Sequence, residues 1–512
     1  MTSINLRHSE KLVRFLTFIA TIPLTPVLFL VVASLGLYRS VVWCILKCRF
    51  GSRFAGMVTG TDAMWGLEGR CSGVVNVLAF VHEAKLDHSG STPEEIIEIF
   101  RQRLKKIYAM KRHQIRKAFF KRNQMFGFFC WTQEKEIDLE SYIQALNFEN
   151  VGDISDKEFH NLFSEICNKK LSNDKTWELL VGMQSVTSIG NNVARYPIVF
   201  RFHHSIGDGI SLLRFFLEEI EDSKLEPEIV KNVATKAAAL KKSSFVAILK
   251  AIYSVPYFIF QDFFSREESN CLQRSFERSE KVICWQNEKN LERMHVWTQL
   301  VKKAKDKCSK TQYSTVLLAA LSETLGWYFK AKGERPTSVT ISMPTRIKRE
   351  GSTAKLANKY TAHVQKLPIT YMNGTKKMDQ IVEKLNTLNQ SSKVIRSSSD
   401  LLINYWALTI LPSICPIPIL RILSEQFRIT ADVSIMPELK HRFRIGRHEF
   451  GELYFWSPLF GNTGVNISAL CYERELRLAL LADRSVIGSA AEGQNLLDDL
   501  FQEIQRMDNL LN

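Results

Sequence analysis

The chain has 512 residues, of which 45% are apolar, and this is too much apolar sequence for one ordinary hydrophobic core, so we expect two domains. The formal net charge is +15, but the aromatic residues lie in apolar runs rather than between the basic residues, which argues against a nucleic-acid partner. The ten cysteines form no CxxC pair, which argues against both a disulfide scaffold and a structural zinc site.

The first element in the chain is an uncharged apolar segment, Phe15 to Leu37. As a helix it would extend for about 35 Å, enough for the roughly 30 Å hydrocarbon core of a bilayer. A cleaved signal peptide fits less well, because the segment is long for one and carries two prolines. Because of Pro23 and Pro26, the segment is either a single span or a re-entrant hairpin. The numbers of basic residues on its two sides are nearly equal, so the positive-inside rule gives only a weak preference for a cytosolic body.

The stretch from Tyr196 to Ile220 predicts a strand, a tight loop and a helix. Tyr196 to His204 is apolar and rich in β-branched and aromatic residues, which is typical of a buried strand. The helix after it has apolar residues at helical spacing, with Asp208 as its N-cap. Gly207 and Gly209 would allow backbone torsions and close contacts that side chains forbid.

Two adjacent histidines lie at the junction of this strand and loop. The alternation of a strand predicts that His204 continues an apolar face and that His203 lies on the opposite face. The apolar face consists of Ile198, Phe200 and Phe202. A neutral imidazole at the end of such a face has a pKa near neutral pH and is suited to accept a proton from a hydroxyl group.

Two later runs, Ser244 to Phe264 and Leu401 to Leu423, are apolar and aromatic-rich but are interrupted by a lysine or by several prolines. Each is either a buried core element or a segment that lies at a membrane interface.

His203, His204, Asp208 and Gly209 spell HHxxxDG, and with this motif the sequence resembles the acyl-CoA-dependent acyltransferase superfamily, and within it the wax ester synthase/diacylglycerol acyltransferase family. The similarity covers roughly residues 55 to 511. Other stretches similar to that family are Thr59 to Glu68, Thr92 to Ile107, Lys175 to Gly182, Ile341 to Ile369 and Asn466 to Ile487.

The resemblance implies an α/β fold with two chloramphenicol-acetyltransferase-like domains and a channel between them, plus the N-terminal membrane segment. On that basis we predict a membrane anchor over residues 1–54 and an N-terminal acyltransferase domain with the motif over residues 55–225. A crossover with an amphipathic apolar segment follows over residues 226–300, and a C-terminal acyltransferase domain covers residues 301–512.

The resemblance further implies an O-acyltransferase that moves a long-chain fatty acyl group from acyl-CoA to the hydroxyl of a lipid, either a fatty alcohol, giving a wax ester, or diacylglycerol, giving triacylglycerol. Acyl-CoA would be a co-substrate, with no further cofactor and no metal. We expect the endoplasmic reticulum membrane and a cytosolic catalytic body, with the plasma membrane and the lipid droplet as alternatives. The competing hypothesis is a non-catalytic membrane scaffold that binds lipid with the same fold.

Each motif residue has an expected role in this reaction. His204 is the general base, which takes the proton of the lipid hydroxyl. His203, on the other strand face, is structural. Asp208 holds the loop through an ion pair, for which Arg346 and Arg116 are the candidate partners.

Outside the motif, Asn358 is expected to position the reacting carbonyl or to stabilise its developing oxyanion. Basic residues also gather in two helical regions, residues 101–122 and 302–310. Each region is either a solvated helix face or a contact with an anionic membrane surface or with the phosphates of coenzyme A.

Overall fold

The protein is a mixed α/β structure, as the sequence predicts, and three sheets form its frame. The computed structural model describes residues 2–67, 73–84, 93–148, 152–171, 175–187, 193–222, 245–264, 269–273, 279–286, 296–309, 311–346, 355–371, 378–397, 399–425 and 428–511. The strands are β1 (Phe54–Met57), β2 (Val74–Ala84), β3 (Phe120–Met125), β4 (Phe128–Gln133), β5 (Ile143–Leu146), β6 (Ile154–Ser155), β7 (Trp177–Gly182), β8 (Val186–Thr187), β9 (Val193–His203), β10 (Lys281–Trp285), β11 (Ser338–Arg346), β12 (Tyr360–Pro368), β13 (Ala431–Ile435), β14 (Arg444–Ile445), β15 (His448–Trp456), β16 (Val465–Tyr472) and β17 (Glu475–Asp483).

Helices precede, connect or follow these strands, and several of the helices pack on the sheets. They are α1 (Thr2–Thr21), α2 (Thr25–Phe50), α3 (Thr61–Met64), α4 (Pro93–Ile115), α5 (Asp156–Asn168), α6 (Gly209–Glu219), α7 (Phe245–Phe264), α8 (Val296–Lys307), α9 (Tyr313–Ala331), α10 (Met378–Ser397), α11 (Asp400–Ile414), α12 (Ile417–Glu425) and α13 (Ala490–Leu510).

The eight-stranded sheet carries the histidine motif. Its main path runs in the order β14-β15-β2-β9-β7-β5, with β6 and β8 beside it, and β2 pairs antiparallel with β9 along their full lengths. One face of this sheet packs against α4 and α6 and forms an apolar core with Val75, Phe100 and Phe202 among its members. Strand β9 is therefore held on both edges, which fixes the position of the histidines at its end.

The six-stranded sheet belongs to the C-terminal half, in the order β10-β17-β16-β13-β11-β12. Strands β16 and β17 form an antiparallel hairpin, which coincides largely with the family-like stretch from Asn466 to Ile487. Helices α9 and α13 pack on this sheet, and their fully buried residues, such as Phe329 and Phe501, form the largest apolar cluster of the described residues. Helix α13 begins at an N-cap, Ser489, whose side chain accepts a hydrogen bond from the backbone N–H of Glu492.

Each of the two large sheets contains a strand from outside its own part of the sequence. Strand β15 lies in the C-terminal half of the sequence but pairs antiparallel with β2 of the eight-stranded sheet. Strand β10, within the predicted crossover of residues 226–300, pairs with β17 and is part of the six-stranded sheet. A further apolar cluster joins the sheets, with Phe80 and Val199 from one and Ile283 and Leu481 from the other. The predicted boundary between residues 225 and 226 lies outside the described residues.

The N-terminal helices carry the apolar segment found in the sequence. The helical stretch Lys11–Arg53 is long and apolar enough to cross a membrane, and its apolar window is not buried in the protein. It also contacts the body: Arg14 Nη1 donates to Ser254 Oγ of α7 at 3.1 Å, and Val42 and Leu46 are buried near β4. The helix is therefore attached at both of its ends.

Candidate active site

The predicted strand, loop and helix around the two histidines are confirmed. Strand β9 ends at His203, and His204 begins a short 3₁₀ helix that leads into α6. Backbone hydrogen bonds fix this transition: the N–H of His203 donates to Thr176 O, and the N–H of His204 donates to Gly73 O, both at 2.7 Å. The imidazole of His204 is therefore carried on backbone that is tied to both neighbouring strands.

An apolar cavity of about 450 Å³ lies between the two halves of the chain. This volume is within the range of roughly 300–1,000 Å³ that is usual for small-molecule sites. The N-terminal half contributes Val77, Phe100, Ile198, Phe200, Phe202 and His204 to its wall, and the C-terminal half contributes Pro344, Tyr360, Ala362, Asn404, Leu408 and Leu420. His204 and the apolar face of β9 thus line the same space, as the strand alternation predicts.

The ring of His204 is buried and is held between two aromatic side chains. It stacks on Trp65, with ring centroids 4.3 Å apart and planes inclined by 15°, and the ring of Tyr360 lies 5.7 Å away. Burial lowers the pKa of His204 below its ordinary value of 6.5, although its own backbone carbonyl, Asp208 and Asn358 oppose the shift. The ring is therefore neutral at neutral pH and able to accept a proton.

His203 is buried on the other side of the strand and does not line the cavity. Its Nε2 contacts the guanidinium of Arg122 at 2.5 Å, and its Nδ1 contacts Ser205 Oγ at 2.7 Å. Burial, followed by the charge of Arg122, holds the pKa of His203 well below 6.5. Gly73 leaves the space for this ring, because a Cβ there would lie 3.0 Å from Nε2. These contacts give His203 a structural position.

Asp208 joins the helix start to the C-terminal half of the chain. Its Oδ1 accepts from the backbone N–H of Ser211 at 2.7 Å, which makes it the N-cap of α6. Its Oδ2 accepts from the backbone N–H of Lys359 at 2.8 Å. Burial lowers the pKa of Arg346, and the charge of Asp208 opposes this shift. The guanidinium of Arg116 lies over the ring of Phe120. Both carboxylate oxygens of Asp208 thus accept from backbone N–H groups, and its ion pair with Arg346 or Arg116 stays a prediction.

The two glycines of the loop, Gly207 and Gly209, lie in close contact with neighbouring side chains. A Cβ on Gly209 would lie 3.1 Å from Met436 Sδ, and one on Gly207 would lie 2.7 Å from Ser211 Oγ. The φ angle of Gly207 is 174°, an extended conformation that any residue adopts. Close contact, rather than an unusual torsion, therefore explains both glycines.

Asn358 lies beside the histidine, but its amide hydrogens are used within the protein. Nδ2 donates to the backbone carbonyl of His204 and to Asp62 Oδ1, both at 2.8 Å. Because both N–H bonds are occupied, the side chain is arranged to position the histidine segment. Its predicted role at a substrate carbonyl has no support in these contacts.

Three further residues complete the site and were not predicted. Asp62 links Asn358 to the ammonium group of Lys117, Trp65 stacks on His204, and the hydroxyl of Tyr360 accepts from Trp65 Nε1 at 2.7 Å. Asp62 and Trp65 belong to the stretch from Thr59 to Glu68 that resembles the family, and this resemblance was the available signal. Tyr360 belongs to the stretch from Ile341 to Ile369, which also resembles the family, but its contact with Trp65 depends on long-range folding.

Most of the basic residues in the region 101–122 have partners within the protein. Arg101 donates to Ile143 O, and ion pairs join Arg103 to Asp222, Lys105 to Glu140, Lys111 to Glu219, Lys117 to Asp62 and Lys121 to Glu134. These contacts favour a structural role for that cluster. In the second region Lys303 pairs with Asp508, and Lys310 lies outside the described residues. Contacts with coenzyme A or with anionic lipid stay predictions.

Within the part of the chain that the structure describes, no group of three or more His, Cys, Asp or Glu side chains is arranged to hold a metal ion.

Comparisons with known proteins agree with this geometry. Residues 365–508 match the family profile described as the WS/DGAT C-terminal domain. A wax ester synthase/diacylglycerol acyltransferase from Marinobacter aquaeolei VT8 superposes with a TM-score of 0.55 at 14% identity, covering 89% of this chain and 99% of that chain. A trichothecene 15-O-acetyltransferase from Fusarium sporotrichioides gives a TM-score of 0.61 at 13% identity, covering 88% of this chain and 95% of that chain.

The starter condensation domain of rhizomide synthetase, solved in complex with C8-CoA, gives a TM-score of 0.52 at 8% identity, covering 88% of this chain and 95% of that chain. A comparison with curated protein sequences gave no match. These findings support an acyltransferase of the WS/DGAT type. The resemblance predicted from the sequence is thereby confirmed: residues 365–508 match the model of the WS/DGAT C-terminal domain, and over 89% of its length the chain has the fold of the Marinobacter wax ester synthase/diacylglycerol acyltransferase.

Proposed function

We propose that this protein is an O-acyltransferase that moves a long-chain fatty acyl group from acyl-CoA to the hydroxyl of a lipid acceptor, with His204 as the general base. One observation carries the proposal: a buried imidazole with a lowered pKa lines an apolar cavity between the two halves of the chain. A base in this position can accept a proton from the hydroxyl group of a bound lipid, away from bulk water.

In the proposed reaction one proton moves from the acceptor hydroxyl to His204 and then from His204 to the leaving group. His204 takes the proton of the acceptor hydroxyl as its oxygen attacks the thioester carbonyl of the acyl-CoA. When the tetrahedral intermediate collapses, the carbon–sulfur bond breaks and the imidazolium returns the proton to the thiolate of coenzyme A. A thioester is already activated, so no covalent enzyme intermediate is needed.

The surrounding residues have supporting roles in this reaction. Asn358 and Asp208 position the histidine segment through the contacts described above. The hydroxyl of Tyr360 accepts a hydrogen bond from Trp65, which leaves its own proton to donate to the developing oxyanion. Burial raises the pKa of Tyr360, so the phenol stays protonated and remains a donor.

The substrate class follows from the cavity and from the relatives. The wall of the cavity is apolar, the Marinobacter relative is a wax ester synthase/diacylglycerol acyltransferase, and the rhizomide synthetase domain was solved with C8-CoA. We infer that a fatty acyl-CoA is the donor and that a fatty alcohol or diacylglycerol is the acceptor. With its apolar N-terminal helix, the protein would act at a membrane, and we expect that of the endoplasmic reticulum.

The direct test is ester formation by the purified full-length protein. Labelled long-chain acyl-CoA is incubated in detergent with hexadecanol or diacylglycerol, and the ester is separated by thin-layer chromatography. His204→Ala should lower the rate by about 10²- to 10⁴-fold, the usual contribution of a general base, and acyl-CoA binding should persist. His203→Ala is the matched control, because that ring does not line the cavity. This substitution should lower the free energy of unfolding, and it should reduce turnover much less than His204→Ala does.

Two outcomes would refute the proposal. One is a wild-type protein that forms no ester with any hydroxyl lipid tried, which would favour the lipid-binding scaffold. The other is a His204→Ala variant that equals the wild type in turnover.

The pH dependence gives an independent test of the base. Activity requires the neutral imidazole, so kcat/KM should fall as the pH decreases through the pKa of His204. Burial lowers this pKa, so the acidic limb of the profile should lie below pH 6.5. The charge of Asp62 raises the pKa of His204, and Asp62→Asn should therefore move the limb to still lower pH. An acidic limb above pH 6.5 would contradict the assignment.

A further inference from the structure

Most of the large hydrophobic side chains that are exposed lie on five helices of the described structure, α1, α2, α7, α11 and α12. Examples are Phe29, which is 71% exposed, Phe245, which is 74% exposed, and Ile422, which is 60% exposed. We call these helices together the apolar surface. A soluble monomer rarely exposes a contiguous apolar patch larger than a few hundred Å².

The helices of the apolar surface contact one another. Phe18 of α1 lies against Tyr253 of α7, with ring centroids 5.1 Å apart. Ala251 of α7 packs in one cluster with Leu402 of α11, and Leu35 of α2 packs in another cluster with Leu408 of α11. The surface is therefore continuous with the N-terminal stretch that is long and apolar enough to cross a membrane. A phospholipid bilayer is the occupant that fits an apolar surface of this kind.

The cavity of His204 meets the apolar surface at α11 and α12. One face of α11 lines the cavity with four residues at helical spacing, Asn404, Ala407, Leu408 and Leu411. Helix α12 contributes Leu420, Leu423 and Ser424 to the same lining. Leu411 is at the same time 40% exposed. A side chain that both lines the cavity and is exposed on the apolar surface marks a place where the wall between them is thin.

The junction of α11 and α12 is fixed to the body of the protein. Ser413 Oγ accepts from the backbone N–H of Gly60 at 3.0 Å, and the N–H of Ile417 donates to Gly127 O at 2.8 Å. Pro412 lies within α11 and has no N–H for the preceding turn, which interrupts the hydrogen bonds of the helix next to Leu411. The thin wall therefore lies at an irregular but anchored part of the chain.

We propose that α11 and α12 form the entrance through which the lipid acceptor passes from the bilayer into the cavity, with Leu411 at the opening. The hydroxyl end of the lipid travels inward to His204 while its apolar body remains in the cavity and the entrance. This proposal rests on the acyltransferase function proposed above, and it adds the direction from which the second substrate arrives.

The test narrows the opening without adding charge. Full-length protein in phosphatidylcholine vesicles is assayed with labelled acyl-CoA and two acceptors: hexadecanol dissolved in the bilayer and hexanol added from the aqueous phase. Leu411→Trp should lower the ratio of kcat/KM for hexadecanol to kcat/KM for hexanol by about tenfold or more, as expected when added bulk blocks a fitted passage. Ile410→Trp is the matched control, since Ile410 is 47% exposed but does not line the cavity, and it should leave the ratio unchanged.

A second readout does not depend on turnover. A photoreactive diazirine analogue of hexadecanol in the same vesicles should label peptides of α11 and α12, and Leu411→Trp should reduce that labelling. Labelling without ester formation would leave the entrance in place and refute the acyltransferase function. Ester formation with an unchanged ratio in Leu411→Trp, or an equal loss with both acceptors, would overturn the entrance.

Discussion

Each oxygen of the Asp208 carboxylate holds a different part of the active site. One caps α6 through Ser211, and the other binds the backbone of Lys359 in the opposite half of the chain. An asparagine has only one accepting oxygen, so Asp208→Asn keeps one of these links and places an NH₂ group against the other donor. A buried donor without its acceptor is expected to lower the free energy of unfolding by about 1–3 kcal/mol. Activity should fall together with stability, measured by denaturant unfolding and by ester formation.

Ser489→Ala is the control for this variant. It removes the N-cap of α13, which packs on the six-stranded sheet, and should lower stability by roughly 0.5–2 kcal/mol without lowering the activity of the folded protein. Loss of activity in Asp208→Asn at unchanged stability would indicate a direct chemical role for the carboxylate.

Local sequence was informative for the residues of the HHxxxDG motif. The alternation along β9 and the N-cap at Asp208 depend only on near neighbours, so His204 and Asp208 could be placed before the structure was available. The role of Asn358 could not be predicted in this way. Its side-chain amide donates hydrogen bonds to Asp62 and to the carbonyl of His204, which are distant from it in sequence. Tyr360 was missed for the same physical reason.

At the scale of the element, strand β15 carries a buried charge cluster into the eight-stranded sheet. Glu452 lies 3.2 Å from Arg195 and 3.4 Å from His82. Burial alone would raise the pKa of Glu452, but His82 and the charges of Arg195 and Arg477 lower it to about 2. The cluster therefore joins β15 electrostatically to β2 and β9.

Glu452→Gln should lower the free energy of unfolding at pH 7 by about 1–3 kcal/mol, since it removes a buried charge beside Arg195 and Arg477. Each arginine keeps one other carboxylate, Asp156 and Glu475 respectively. The folded pKa lies below the ordinary value of 4.5, so the stability due to Glu452 is present above pH 4.5 and is lost as the pH falls toward 2. The variant should therefore lose less stability than the wild type across that window, as measured by denaturant unfolding at several pH values.

Glu449→Gln is the matched control on the same strand, because the Glu449 side chain is 38% exposed and pairs with arginines at the surface. It should change stability by less than about 1 kcal/mol. Equal effects of the two substitutions would show that the buried cluster does not hold the strand.

The strand exchange also shows what sequence patterns leave open. The residues of β15 have the composition of a strand, but composition does not say which sheet the strand joins. The choice of sheet is made by pairing between residues hundreds of positions apart, so contiguous domain ranges such as 301–512 do not contain this information. The α/β class was predictable because it needs only local periodicity.

For the whole molecule, the apolar surface predicts how a truncated protein behaves. Removing residues 1–37 deletes most of the apolar N-terminal helix but keeps Val42 and Leu46, whose side chains are buried in the body. The protein should then bind phosphatidylcholine vesicles more weakly but not lose binding, because α7, α11 and α12 still expose apolar side chains. Flotation at low salt measures the bound fraction. A truncated protein that stays wholly in solution would mean that those three helices do not contact the bilayer.

The exchange of β15 restricts how the protein can move. The chain leaves the six-stranded sheet after β13, adds β14 and β15 to the other sheet and returns at β16, while Asp208 and Asn358 join the halves beside the cavity. The two halves of the chain are therefore joined by the backbone hydrogen bonds of a shared strand, which resist a hinge motion between them. In the proposed reaction, the apolar wall of the described cavity would keep water from the thioester without any movement of the two large sheets relative to each other.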